Sequence, residues 1–263
     1  MPRPRRALEI FLCVGATAGV LASAIRPPQA LAQHQHHASE LNAQGGEGGE
    51  GGEAGIAAAA QTDLEVLVVL AQMQGHLLVA QELLKQQQFS AAEPHVGHPV
   101  DELYGALEPA LQSRGVTAFL SSLEELRQQV RLNPKSPSTA IKLANAQQAI
   151  ATATQAVAGP MATQVPTVAA VVRQLAQTAA EEYAAALAGD QVVEAIEYQD
   201  AQGFLLEAQR LLNQANSLDP AGAAQLRGKQ RTIASMLKAF PTAMPPRQAV
   251  MTVVQLQKLQ QQL

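Results

Sequence analysis

The chain runs to 263 residues, 47% of them hydrophobic but only 3% aromatic, with no Trp and 15% charged residues. Ala and Gln are abundant and β-branched and aromatic strand formers are sparse, which suits helices packed through small side chains and excludes an all-β fold. A formal charge of −4 argues against a surface built for nucleic-acid phosphates, and no nucleic-acid partner is expected.

The chain opens on Arg3, Arg5 and Arg6, continues through an apolar run from Ala7 to Ala24 broken only by Glu9 and small residues, and closes on Gln29-Ala30-Leu31-Ala32-Gln33. A positive start, an apolar stretch and an A-x-A site form the pattern of a secretory signal peptide over residues 1–32, cleaved after Ala32. A retained anchor is the alternative, but the polar stretch that follows weighs against it. No later apolar run is read as spanning a bilayer, so no retained transmembrane helix is expected. The single cysteine, Cys13, falls inside the signal, which leaves the exported chain without thiol chemistry, disulfides or Cys-ligated metal. Cleavage also removes Arg3, Arg5, Arg6 and Arg26 against Glu9 alone. An acidic, periplasmic or secreted protein is the expectation.

Residues 33–61 hold His34, His36 and His37 and then a Gly/Glu repeat running to Glu53. Little there can be buried and each Gly raises the entropic cost of ordering, so the stretch reads as a disordered linker. From Thr62 the periodicity predicts helices over 62–88, 99–114, 117–131, 138–157, 166–188, 191–215, 220–239 and 246–262. Pro and Gly punctuate the gaps, among them Pro99, Gly115, Asn133-Pro134, Gly159-Pro160, Gly189-Asp190, Asp219-Pro220 and Pro245-Pro246. The expected fold is all-α, with two small antiparallel bundle modules over 62–132 and 138–263.

Polar residues on apolar faces mark the candidate sites. His76 lies within the stripe of Val66, Val69, Met73, Leu77 and Ala80, on a helix apolar enough around its circumference to be central. A buried imidazole needs a hydrogen-bond partner or a metal. His98, read at a helix start with Pro99 first in the helix, stands one turn from Glu102, and His95 is placed on the preceding loop, able to turn inward. His76, His95, His98 and Glu102 make one candidate first shell for a metal, with helix capping by His98 as the plain alternative. On the helix 191–215, Glu197, Asp200 and Glu207 fall in the apolar arc of Val193, Ile196, Gly203, Phe204, Ala208 and Leu211, while Gln199, Gln202 and Arg210 are read as its solvent face. Glu182, at the margin of the preceding helix, can approach Glu197 or Asp200. These four acids make a second candidate site for a hard cation. Ion pairing with Arg227, Lys229, Arg231 or Lys238 is the competing account.

No phosphate-binding glycine loop, G-x-S-x-G, H-E-x-x-H or C-x-x-C occurs, so an enzyme is not expected, with an envelope hydrolase as the outside reading. The segments Met73-Gln74-Gly75-His76-Leu77, His95-x-x-His98-Pro99-x-x-Glu102-Leu103-Tyr104, Glu197-Tyr198-Gln199-Asp200-Ala201 and Phe240-Pro241-Thr242-Ala243-Met244-Pro245-Pro246 resemble exported bacterial helical proteins, namely periplasmic domains associated with high-affinity iron permeases and imelysin-like iron-uptake components. The imelysin-like G-x-H-x-x-E pattern is not reproduced, because Gly75 precedes His76 directly and the next acid is Glu82. The resemblance implies metal handling in the cell envelope. The leading expectation is a periplasmic protein binding a divalent or trivalent metal, iron favoured over copper, manganese, zinc or calcium, in support of uptake or storage with an envelope metal-transport partner. The rival is a metal-free envelope adaptor whose helical faces bind another protein.

Overall fold

The computed structural model describes residues 50–218 and 222–263. The expected signal peptide, residues 1–32, and residues 33–49 of the expected linker lie outside the described residues. The chain is all-α, as predicted, and begins with α1 (Glu50–Ala59) and α2 (Asp63–Lys85). Thr62 starts α2 with a reciprocal cap: its hydroxyl accepts from the Glu65 N–H, and the Glu65 carboxylate accepts from the Thr62 N–H. These bonds hold the Glu65 pKa below the usual carboxylate value.

Opposite sides of α2 face two hydrophobic cores. Val66, Val69, Leu70, Met73 and Leu77 pack with Val96, Leu103, Leu107, Leu123, Leu126 and Ile150. Leu67, Val68 and Ala71 pack with Val172, Leu175, Tyr183, Tyr198, Phe204 and Leu212. α2 therefore serves both groups of helices, and the described residues form one compact unit. By length and composition α2 could also cross a membrane, against the expectation that no later run reaches that length, but most of it is buried as the core helix of this unit.

Two elements depart from the sequence reading. Glu50–Ala59, read as the end of the linker, is helical. Its Gly-rich start gives no propensity signal, but Ala57 and Ala60 seal against the first core and order the segment by packing. α3 (Phe89–His98) falls between the predicted helices 62–88 and 99–114 and forms in spite of Pro94 and Gly97 within it. It persists by burying Ala92, His95, Val96 and His98, and runs into a π-helical turn, Pro99–Tyr104, and then α4 (Gly105–Ser113). Pro99 has no N–H to return to the preceding turn, so the ladder changes spacing there.

α5 (Leu120–Leu132) and α6 (Pro137–Ala158) complete the first core. α7 (Val165–Ala185) and α8 (Ala195–Leu218) meet through a two-residue hairpin, β1 (Leu187–Ala188) and β2 (Gln191–Val192), turning at Gly189 with φ +64°. α9 (Ala223–Met236) and α10 (Val253–Gln260) follow. The last helix is shorter than the predicted 246–262, because residues 241–252 run as irregular chain tied to the α7–α8 hairpin through Val192, Asp190, Arg247 and Ala249. α2 and α8 cross at Gly75 and Gly203, where a Cβ added to Gly203 would lie 2.5 Å from the Gly75 carbonyl oxygen. His76 follows one glycine directly, and Asp200 precedes the other by one turn. The crossing thus decides what these two side chains meet.

Candidate metal centre

Three elements deliver four polar side chains to one buried point. His76 from α2, His95 and His98 from the last turn of α3, and Asp200 from α8 each offer one donor atom, all within 4.8 Å of one another. The His76 Nδ1 lies 2.6 Å and the His95 Nδ1 2.8 Å from the same oxygen, Asp200 Oδ1. The His98 Nδ1 is 3.5 Å from Asp200 Oδ2. All three imidazoles therefore turn the same nitrogen toward one carboxylate.

The outer nitrogens are also directed at oxygens. The His76 Nε2 is 2.9 Å from Glu53 Oε2, and the His95 Nε2 is 2.8 Å from Gln199 Oε1. The Gln199 amide donates from Nε2 to the Ala243 carbonyl, which leaves its oxygen facing His95 and makes His95 Nε2–H the donor. The His98 Nε2 faces Glu102 Oε1 at 4.0 Å, the one-turn spacing anticipated from sequence. An inward nitrogen with the outward one held by an oxygen is the arrangement of a metal-binding imidazole, in which the outer partner fixes tautomer and orientation.

Burial alone would lower the His76 pKa, but the Asp200 and Glu53 carboxylates reverse that and hold it well above the ordinary value. Burial would likewise raise Asp200, and the His76 and His95 charges carry it well below the usual carboxylate range. Without a metal, a proton held on His76 compensates the acid. A cation at the same point would replace that proton and recruit the same donors.

The structure places Asp200, expected among the acids, with the histidines. Glu102, Glu182 and Glu197 line a small cavity beside it, together with Glu53, His98 and Asp200. Glu182 is pushed up to about 8, first by its burial and then by the Glu53, Asp200 and Glu197 charges. Glu207 does not join them. Both its oxygens accept from Arg210 at 2.6 Å, beside a separate cavity of about 340 Å³ between α2, α6, α7 and α8. Its burial raises its pKa, against the pull of Arg210. Arg210, read as a solvent-facing residue, is its partner because the two are three apart on one helix. Lys229 instead donates to the Leu263 carbonyl. None of Arg227, Lys229, Arg231 and Lys238 pairs with Glu182, Asp200 or Glu207 among the described residues.

Other placements also differ. His95 is helical rather than on a loop. Gln199 and Gln202, read as exposed, are buried, and Val193, read as buried, is 52% exposed. From Glu197 to Leu205 every residue of α8 is buried, so the polar residues there cannot be sorted by a single stripe. Two polar partners of the centre were missed. Gln199 had a usable signal, standing beside Asp200 on a helix too central to own a solvent face. Glu53 had none, since it belongs to a Gly/Glu repeat.

Three imidazoles and a carboxylate form a nitrogen–oxygen donor set that fits iron, manganese, zinc or copper. No curated protein and no solved structure matches the chain. Residues 160–263, which carry α7 to α10 and with them Glu182, Glu197, Gln199 and Asp200, match the iron permease-associated 4-helix bundle domain.

Proposed function

We propose that this protein binds a transition metal, iron in preference to copper, manganese, zinc or calcium, at His76, His95, His98 and Asp200. It would act in the cell envelope as a non-enzymatic component of metal uptake or storage, working with a metal-transport protein. The observation that carries the reading is the convergence of three Nδ1 atoms on one buried carboxylate, two of them with the outer nitrogen already hydrogen-bonded. The description of the matched domain as iron permease-associated supports iron and a transport partner. An exported protein agrees with the amino-terminal signal pattern.

Elemental analysis of the untagged protein after gel filtration, beside thermal melts with Fe, Mn, Cu, Zn and Ca, tests the proposal. Bound metal at about one equivalent or more, with a melting point raised by mass action, is expected. Asp200→Asn and His95→Ala should each abolish both effects. A metal-free protein with the same melting point in every ion would overturn the reading, and the cluster would then be a structural imidazolium–carboxylate network.

A further inference from the structure

The cavity beside the histidine cluster measures about 10 Å³, the volume of about one water-sized sphere. Five carboxylates, those of Glu53, Glu102, Glu182, Glu197 and Asp200, line it with His98, and no Lys or Arg does. Glu182 is only 7% exposed. Among the described residues its side chain accepts no hydrogen bond and forms no ion pair. A carboxylate so deeply buried is costly unless a proton or a cation compensates it.

One cation on the His76/His95/His98/Asp200 cluster does not meet that need. Glu182 is not among the donors that converge there, so an ion on the histidines leaves its buried carboxylate without a cation of its own. A second divalent ion in the cavity would supply that cation where the Glu182 carboxylate lies. Asp200 is the natural link, because it lines the cavity while its Oδ1 faces His76 and His95.

We propose that this cavity is a second cation subsite, with Glu182 and Glu197 as its own ligands and Asp200 shared with the ion on the histidines. The inference rests on the metal-binding reading above. The cavity has no space for a hydrated ion, so the cation enters stripped of water. That disfavours magnesium, which dehydrates reluctantly, and favours iron or manganese on oxygen donors.

Titration of the untagged protein with manganese(II), read by calorimetry and by electron paramagnetic resonance, separates the two sites. The wild type should take up about two ions per chain, and at saturation show a spin-coupled spectrum in place of the six lines of isolated manganese. Glu182→Gln removes a buried charge without changing shape, so it should fold, retain about one ion and show the isolated six-line signal. Glu197→Gln should behave in the same way. Saturation of the wild type at a single ion, unchanged in Glu182→Gln, would overturn the second subsite and leave the first standing. Two uncoupled ions, both indifferent to the two substitutions, would overturn it as well. No binding at all by the wild type would remove both readings.

Discussion

The Gly75 carbonyl oxygen occupies the space beside Gly203 so closely that a Cβ on Gly203 would stand 2.5 Å from it. A Cβ on Gly75 would in turn meet the Phe204 ring at 2.7 Å and the Gly203 backbone at 3.1 Å. The two helices touch backbone to backbone, and this contact brings the His76 and Asp200 side chains to 2.6 Å. Gly203→Ala must push α2 and α8 apart, since the obstructing atom is backbone. We expect a stability loss of about 1–3 kcal/mol, typical of overpacking, and loss of bound metal beyond what the lower stability explains. Denaturant titration with metal analysis of the folded fraction checks both. Unchanged metal content would mean that the crossing does not set the centre.

Gln199 acts through His95. Its oxygen accepts from the ring and its amide is anchored on the Ala243 carbonyl, so it fixes which His95 nitrogen is free to bind metal. Gln199→Leu should weaken metal binding by about 10- to 100-fold, as loss of an outer-shell partner does. Gln199→Glu, which keeps an acceptor for the ring, should recover much of it. Competition against a chromophoric chelator measures both, and equal affinities for the two variants would refute the orienting role.

The metal-free protein should lose stability as pH rises above mildly acidic values. The folded pKa of Glu182, about 8, lies above its ordinary value of 4.5. Its contribution is therefore complete below the lower value and lost on the climb to the higher, a range worth roughly 5 kcal/mol. His76 acts in the same sense: its pKa is raised in the fold, so its contribution is present below the unfolded value and lost as pH rises through the folded one. Asp200 has the opposite sign, its pKa being lowered, and destabilises only in strong acid. Melting points from pH 5 to about 8.5 should fall for the wild type and be much flatter for Glu182→Gln. A wild-type melting point that climbs over that range would contradict the assignment.

Metal binding should release protons and strengthen over the same range, because a ligating His76 nitrogen must give up the proton now shared with a carboxylate. Calorimetry in two buffers of different ionisation enthalpy reads the protons directly. Identical heats in both would exclude the exchange of proton for metal.

The Glu207–Arg210 pair should affect stability and leave metal binding alone. Arg210→Met strands the buried Glu207 carboxylate and should cost about 1–3 kcal/mol. Adding Glu207→Leu should restore much of that loss, since a well-packed apolar pair can replace a buried ion pair. Metal content should be that of the wild type in both variants, and a parallel loss would place Glu207 in the centre after all.

The sequence by itself determined the all-α class, most helices after Thr62 and the candidate ligands, because each is a local pattern. Apolar residues recurring once per turn make a helix and expose the intruding His76 and Asp200. The four-residue interval from His98 to Glu102 survives the change from regular to π-helical backbone, and the Gly189-Asp190 turn is written in two adjacent residues. The α3 helix escaped detection because its burial on α2 is a contact between distant residues. Glu53 escaped because a Gly/Glu repeat carries no mark of the imidazole that it meets. Only the tertiary structure decided that Asp200 stands with the histidines and that Glu207 pairs with Arg210 away from them. Helical phase says which side a residue faces, but the partner across that face depends on where two helices cross. Here the crossing is set by two glycines 128 residues apart, whose missing side chains let the backbones touch.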